Sequence, residues 1–433
     1  MASTFTPPPP QFASQPRRAF LFGESSMQNN IGLTGGVGWS STGYVAWFNR
    51  IAGQPLQLSP SNFYCGTYNS KSLLEALQAQ VLANAANFDI IFLSVINNDV
   101  PQGVAATTSV ANAKSIVTQL LNAGKWVVFL PILPWNGASA DALKQMLWIN
   151  QQMREWARTV SFNYPFFLID FWRDVADPTS ATGQWVSPLS NGGGDPGAGG
   201  AYLIGKRIAA ALGPFLSPPP DLAVAQADVY DATYNPHGNL LTNGSMATLS
   251  GGAIQSGAGT GTLVGGWGFN KISGSYAAAD VVLSTAANAA GFNAPPGGTQ
   301  TITVNIPAGN TANEQFEFLQ WNGSIGCNVG DVIYARAEVT LTGVANMWGA
   351  GVQIYSPGDS YGVGDGGASS AACPFYPGAY PPLILRPPPF TVTSAFKSNA
   401  YPMLFTFNFD ASGATPATAT ITITGTFVRK LSP

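Results

Sequence analysis

Ser25 stands at the apex of a sharp turn, where the short apolar strand Arg18-Ala19-Phe20-Leu21-Phe22 runs into Gly23-Glu24-Ser25-Ser26 and a helix. A hydroxyl presented this way suits nucleophilic acyl transfer, provided that a base takes its proton. That base must titrate near neutrality within hydrogen-bond reach, and histidine is the side chain that does so unperturbed. The chain has one histidine, His237. It lies in Tyr234-Asn235-Pro236-His237-Gly238-Asn239, a turn-rich run that favours a surface position. It reaches Ser25 only if this junction folds back over the sheet or a neighbouring subunit supplies it. Metal chemistry has less support still. One histidine and three scattered cysteines, Cys65, Cys327 and Cys373, make no ligand spacing, so neither a metal nor a cofactor is expected.

The elements that must position the serine follow from the apolar pattern. Phe88 to Val95 is a fully apolar strand that empties into Ile96-Asn97-Asn98-Asp99, and Trp126 to Pro131 and Phe166 to Asp170 read as two more buried strands. Between them lie helices. Ser70 is the expected N-cap of the amphipathic run Leu73, Leu74, Leu77, Val81; Gly124 stops a helix ending at Leu121; Ala140 to Arg158 forms a third; Ala201 to Leu212 closes with Gly213. Strands alternating with helices of this length predict a parallel sheet covered on both faces, with a site at the carboxyl ends of its strands.

The stretch from about Arg17 to Gly213 resembles an SGNH (GDSL-type) hydrolase domain, which implies a flavodoxin-like three-layer α/β fold and a family that deacylates esters, often acetylated sugars. Gly23-Glu24-Ser25 matches the family's Gly-Asp-Ser, which implies Ser25 as nucleophile. Gly66, in Tyr64-Cys65-Gly66-Thr67, matches the glycine whose N–H helps form the oxyanion hole, and Gly-x-Asn-Asp falls on Ile96-Asn97-Asn98-Asp99, with Ile96 in place of its glycine, which carries the oxyanion asparagine onto Asn98. The last motif, Asp-x-x-His-Pro, falls on Gly192-Gly193-Gly194-Asp195-Pro196. Both charged catalytic positions are changed there: the acid is Gly192 and the base is Asp195.

The chemistry that survives is small. Removing the histidine of such a triad lowers kcat by on the order of 10⁶, or roughly 8 kcal/mol of barrier, while an oxyanion hole alone retains about 10³ over water. An aspartate, with a reference pKa of about 3.9, is a poor base at neutral pH unless burial raises it. Following three glycines, Asp195 is expected to cap the next helix. Ser25 stands between nucleophile and relic turn residue, and Asn98 between oxyanion donor and a buried amide that holds the strand-end loop.

Composition bounds the rest. At 433 residues the chain has room for about two or three domains. Charged residues make up only 9 %, against about 25 % in ordinary domains, and the net charge of −3 gives little self-repulsion, which suits packing into an assembly. No basic stripe suggests nucleic acid. The apolar runs near Ile90 and Val127 are about half the ~20 residues that a membrane helix needs, so no membrane insertion is expected. The N-terminus lacks a charged segment followed by an apolar one, and the odd cysteine count argues against a disulfide framework.

Residues 1–16, with Pro7-Pro8-Pro9-Pro10, read as an extended tether, residues 17–216 as the hydrolase-like domain and residues 217–237, opening with Ser217-Pro218-Pro219-Pro220, as a linker. Over residues 238–433 the pattern alternates, as in Thr301 to Ile306, Val332 to Val339, Met403 to Phe409 and Ala419 to Thr424, predicting an antiparallel β-sandwich. This half resembles jelly-roll modules that bind carbohydrate. Trp267, Trp321, Trp348 and Tyr355 are the candidate sugar platforms, against the alternative that such rings belong to the core. The Gly- and Pro-rich stretch Ser356 to Pro389, with Tyr361, Phe375, Tyr376 and Tyr380, reads as a long loop and the candidate interface.

A hydrolase-like domain joined to such a sandwich resembles the architecture of bacteriophage tail and fibre proteins. That implies a virion structural or receptor-binding protein (fibre, spike or head decoration), made in the host cytoplasm, held to other virion proteins by the N-terminal tether, homotrimeric and in contact with a host surface glycan. The alternative is an active carbohydrate esterase that deacetylates a surface polysaccharide, with Asp195 or His237 as base.

Overall fold

The computed structural model describes residues 17–31, 38–58, 62–217, 228–288, 297–320, 325–356, 361–368, 371–398 and 400–431. The chain divides into two compact units, Met1–Asn30 with Thr42–Pro219, and Ile31–Ser41 with Pro220–Pro433. The expected tether, residues 1–16, and the linker residues 218–227 lie outside the described residues.

The first unit runs β1 (Arg18–Gly23), α1 (Ser25–Gln28), α2 (Tyr44–Ile51), β2 (Gln57–Leu58), β3 (Phe63–Tyr64), α3 (Ser70–Ala76), β4 (Ile90–Ser94), α4 (Ala106–Asn122), β5 (Trp126–Phe129), α5 (Ala140–Val160), β6 (Phe166–Leu168), α6 (Trp172–Val175) and α7 (Ala198–Leu212). Its strands pair in parallel in the order β2-β1-β4-β5-β6, with β3 also on β1. Alternate strand residues feed opposite faces. Phe20, Phe22, Ile91, Leu93, Val127 and Phe129 pack against the apolar faces of α3, α4 and α5. On the other face Phe48 of α2 meets Phe92 at 5.8 Å, and Trp47 crosses Tyr202 of α7 at 5.4 Å. Helices thus cover both faces of a parallel sheet, the α/β layering expected from the sequence.

Helix starts differ in detail from expectation. Asn69, not Ser70, caps α3, its side chain accepting from the Ser72 N–H. The amphipathic run does not stay α-helical: α3 gives way to a wide turn over Leu77–Val81 and a tight one over Leu82–Asn87. α5 is capped by Ser139, with Asp141 in its first turn and Arg158 in its last, matching the helix dipole at both ends. Gly124 ends α4 at φ +74°, a conformation open to glycine.

The second unit is strand-rich. Its strands are β7 (Ala253–Ile254), β8 (Thr260–Gly261), β9 (Gly268–Ser273), β10 (Val281–Ala287), β11 (Gly298–Ile306), β12 (Glu314–Gln320) and β13 (Val332–Ala345). β14 (Met347–Ser356), β15 (Tyr361–Ala368), β16 (Leu383–Leu385), β17 (Phe390–Thr391), β18 (Tyr401–Phe409) and β19 (Ala417–Lys430) complete it. Among the described residues they form a seven-stranded sheet, β16-β13-β19-β11-β10-β8 with β17 on β13, and a six-stranded sheet, β15-β14-β18-β12-β9-β7. Most pairings are antiparallel, with β8 on β10 and β7 on β9 parallel. Alternate residues are buried: Ile302, Val304 and Ile306 on β11, Ala419, Ile421 and Ile423 on β19. On the six-stranded sheet the buried face is aromatic, with Phe316 and Phe318 of β12 against Phe405, Phe407 and Phe409 of β18.

Three expectations for this half are corrected. Trp267 is 2 % exposed and stacks on Phe318 at 4.4 Å, so it is core and cannot serve as a sugar platform. The stretch Ser356 to Pro389 is no continuous loop, since it contains β15 and β16. Phe375 and Tyr380 are buried with rings 6.2 Å apart, leaving Tyr376, 40 % exposed, at the surface. Trp348 and Tyr355 are half-buried; Trp321 and the Tyr361 side chain lie outside the described residues. Residues 228–237, expected as connector, are built into this unit through a Val229–Asn239 bridge and an Asp228–Arg429 ion pair.

Candidate functional site

The site is built where β1 and β4 end. Gly23 is required there because a Cβ would lie 2.0 Å from the Ser94 carbonyl oxygen, and the chain then turns into α1, whose first residue is Ser25. Ser25 Oγ donates to Asp195 Oδ1 at 3.0 Å. Asp195 therefore does not cap α7 as expected: that helix starts after Gly197 with no side-chain cap, and the carboxylate turns to the serine instead. Burial pushes the Asp195 pKa up, and hydrogen bonds from Ser25 and Asn29 pull part of the shift back. Gly192, at the place of the triad acid, is at φ +78° and contributes no side chain.

Under the serine lies a polar cluster that the sequence reading missed. Glu24 Oε1 accepts from Ser94 Oγ at 2.6 Å, from Asn97 Nδ2 at 2.5 Å and from Ser26 Oγ at 3.0 Å, and Ser26 Oγ is 3.0 Å from Tyr44 Oη. Glu24 is buried, and desolvation raises its pKa to about 7, with the nearby Asp195 charge adding to the rise. Burial and Glu24 also push the Tyr44 pKa well up. Asn97 ties this cluster to the next strand end by accepting from the Leu133 N–H at 2.8 Å. A carboxylate and an amide closing two apolar strands, Glu24 after β1 and Asn97 after β4, were the signal available.

Asn98 Nδ2 donates to the carbonyls of Gly66 at 2.9 Å and Tyr68 at 2.8 Å. Its amide hydrogens thus hold the loop after β3 and are not aimed at a substrate. Gly66 stays beside the serine, where a Cβ would be 3.7 Å from Ser25 Cβ. Asp99, buried, accepts from the Ser70 N–H at 2.7 Å and fixes the start of α3. A cavity of ≈ 200 Å³ opens over the pair, lined by Ser25, Asn97, Asn98, Leu133, Trp135 and Asp195 among others. Trp135, Leu133 and Met146 give it an apolar wall next to the carboxylate. His237 belongs to the second unit, where its Nδ1 is 3.4 Å from the Lys430 carbonyl. Among the described residues no group of His, Cys, Asp and Glu could hold a metal ion, and Cys65 and Cys327 are free thiols.

Residues 21–200 match the GDSL-like Lipase/Acylhydrolase family. That part of the chain is similar to GDSL-type hydrolases. No curated protein matches the chain. Among solved structures, a GDSL-like lipase from Bacteroides thetaiotaomicron is 12 % identical, covering 45 % of this chain and 85 % of its own, with a TM-score of 0.32. A catalytic mutant of Axe2, an acetylxylan esterase from Geobacillus stearothermophilus, is 13 % identical over 45 % of this chain and 93 % of its own, with a TM-score of 0.36. The enzymatically active domain of bacteriophage CBA120 tailspike protein 4 is 13 % identical over 45 % of this chain and 21 % of its own, with a TM-score of 0.27. Among the described residues no helix is long and apolar enough to cross a membrane.

Proposed function

We propose that the chain is a structural or receptor-binding component of a bacteriophage particle (a fibre, spike or head decoration) whose GDSL-type domain contacts ligand without efficient turnover. The observation that carries the non-catalytic part is the Ser25–Asp195 hydrogen bond, which puts a carboxylate where acyl transfer needs an imidazole. Gly192, at the place of the triad acid, offers no carboxylate to orient a base. The particle role is supported by the 9 % charged content and by the proline-rich N-terminus, which suits a tether to other virion proteins. The second unit, read as a jelly roll, is the receptor-contacting half, and the assembly is read as a homotrimer. Light scattering on the purified chain, with an adsorption assay on host cells, tests this: a trimer that blocks particle adsorption is expected, and a monomer that leaves adsorption unchanged contradicts it.

A second reading has its own observation. Because Asp195 touches Ser25 directly and burial raises its pKa, the pair is a candidate serine–carboxylate dyad for removing small acyl groups from a polysaccharide. Such an esterase would lose activity on acidification, as the carboxylate takes up its proton.

A further inference from the structure

A second cavity, of ≈ 320 Å³, opens in the first unit at the amino ends of the strands, away from Ser25. Trp126 is the first residue of β5 and Phe166 the first of β6, and both line it together with Phe162, Tyr164, Phe167 and Phe215. Phe167 stacks on Trp126 with ring centres 5.7 Å apart, and Phe215, just past the end of α7, stands edge-on to Phe167 at 5.3 Å. Phe162, Tyr164 and Phe215 are 56 %, 47 % and 46 % exposed, so the cavity is open and its rim is aromatic. Among the described residues no charged side chain lines it. Large exposed rings gathered in one place mark a surface that a partner covers.

We infer that the proline run Pro7-Pro8-Pro9-Pro10 of the chain's own N-terminal segment docks in this cavity. Register places the run within reach. Ala19 of β1 stands in one row with Ile90 of β4 and Trp126 of β5, so Arg17 and Arg18 enter the sheet at the edge where the cavity opens. Asp89, just before β4, accepts from the N–H groups of both arginines and ties this entry to the β4 side, on which β5 and β6 follow. From β1 to β6 is three strand spacings, about 14 Å, whereas the seven residues between the end of the run and Arg17 span about 22 Å as an extended polyproline-type chain. The chemistry matches as well. Residues 1–16 contain no charged side chain, and proline rings pack on aromatic faces at low entropic cost because their extended form is preset. Docked there, the run fixes the end of the domain from which the tether leaves, opposite the Ser25 pocket. Its seating is independent of what the chain is tethered to, so its failure leaves the particle reading and the Ser25 test standing.

The test is photo-cross-linking in the full chain, with benzoylphenylalanine placed at Tyr164 and, in a second preparation, at Phe162, followed by mass spectrometry of the joined peptides. Both positions are exposed, and should one label disturb the fold the other decides. Cross-links to residues 1–16 within a single chain are expected. Replacing the run by serine (Pro7→Ser, Pro8→Ser, Pro9→Ser and Pro10→Ser together) should lower their yield by about fivefold or more, because serine does not preset the extended form. Cross-links confined to any other segment, a cross-linked dimer in which a neighbouring copy supplies the run, no cross-link at all, or a yield unchanged by the serines overturns the docking.

Discussion

Asp195 Oδ1 accepts a 3.0 Å hydrogen bond from Ser25 Oγ, so the hydroxyl's acceptor is a carboxylate. Putting the imidazole back should restore chemistry to the scaffold. Asp195→His is expected to raise aryl acetate turnover by on the order of 10² over the natural chain, the lower end of general-base contributions. Initial rates at pH 8 measure it, and an unchanged rate would mean that more than the base has been lost.

Glu24 makes stability depend on pH in a definite direction. Its folded pKa, about 7, lies above the unfolded value of 4.5, so the folded state holds the extra proton between those limits. Stability is then full below pH 4.5 and falls as pH rises through 7, by roughly 3 kcal/mol at most. Asp195, also raised, adds in the same direction. Chemical denaturation from pH 5 to 8 reads the slope, which Glu24→Gln should flatten.

Asn98 holds the loop after β3 through two carbonyls. Asn98→Ala should therefore lower stability by about 1–2 kcal/mol and leave any aryl acetate hydrolysis unchanged. Urea unfolding and a rate measurement on one preparation separate the two effects. A lost rate with unchanged stability would return Asn98 to the oxyanion role.

Trp267 stacks on Phe318 inside the second unit. Trp267→Ala should destabilise that unit by about 3–5 kcal/mol through cavity formation. Calorimetry of the variant should show one of the unfolding transitions moved down. A glycan-binding defect at full stability would contradict the core assignment.

The sequence was most legible where burial leaves a one-dimensional trace. β1, β4, β5 and β6 are apolar runs because both faces of a parallel sheet are covered, and the start of α5 is marked by Ser139 with Asp141 behind it. Asn69 and Ser70 are both good caps, so pattern alone could not choose between them. The glycines before Asp195 hid the return of its loop to Ser25, and the links among Glu24, Ser94 and Asn97 join residues some 70 positions apart. β15 escaped notice because four of the eight residues in Tyr361-Gly362-Val363-Gly364-Asp365-Gly366-Gly367-Ala368 are glycines, which read as turn or loop even though Tyr361, Val363 and Asp365 alternate with them. Trp267 looked available because a tryptophan next to a strand reads alike whichever face its ring takes.

Whether Ser25 turns over esters is read most directly from aryl acetate hydrolysis by the natural chain beside Ser25→Ala. Equal rates for the two proteins at neutral pH are expected. Turnover by the natural chain that disappears with the hydroxyl would contradict this and make Ser25 and Asp195 a working dyad.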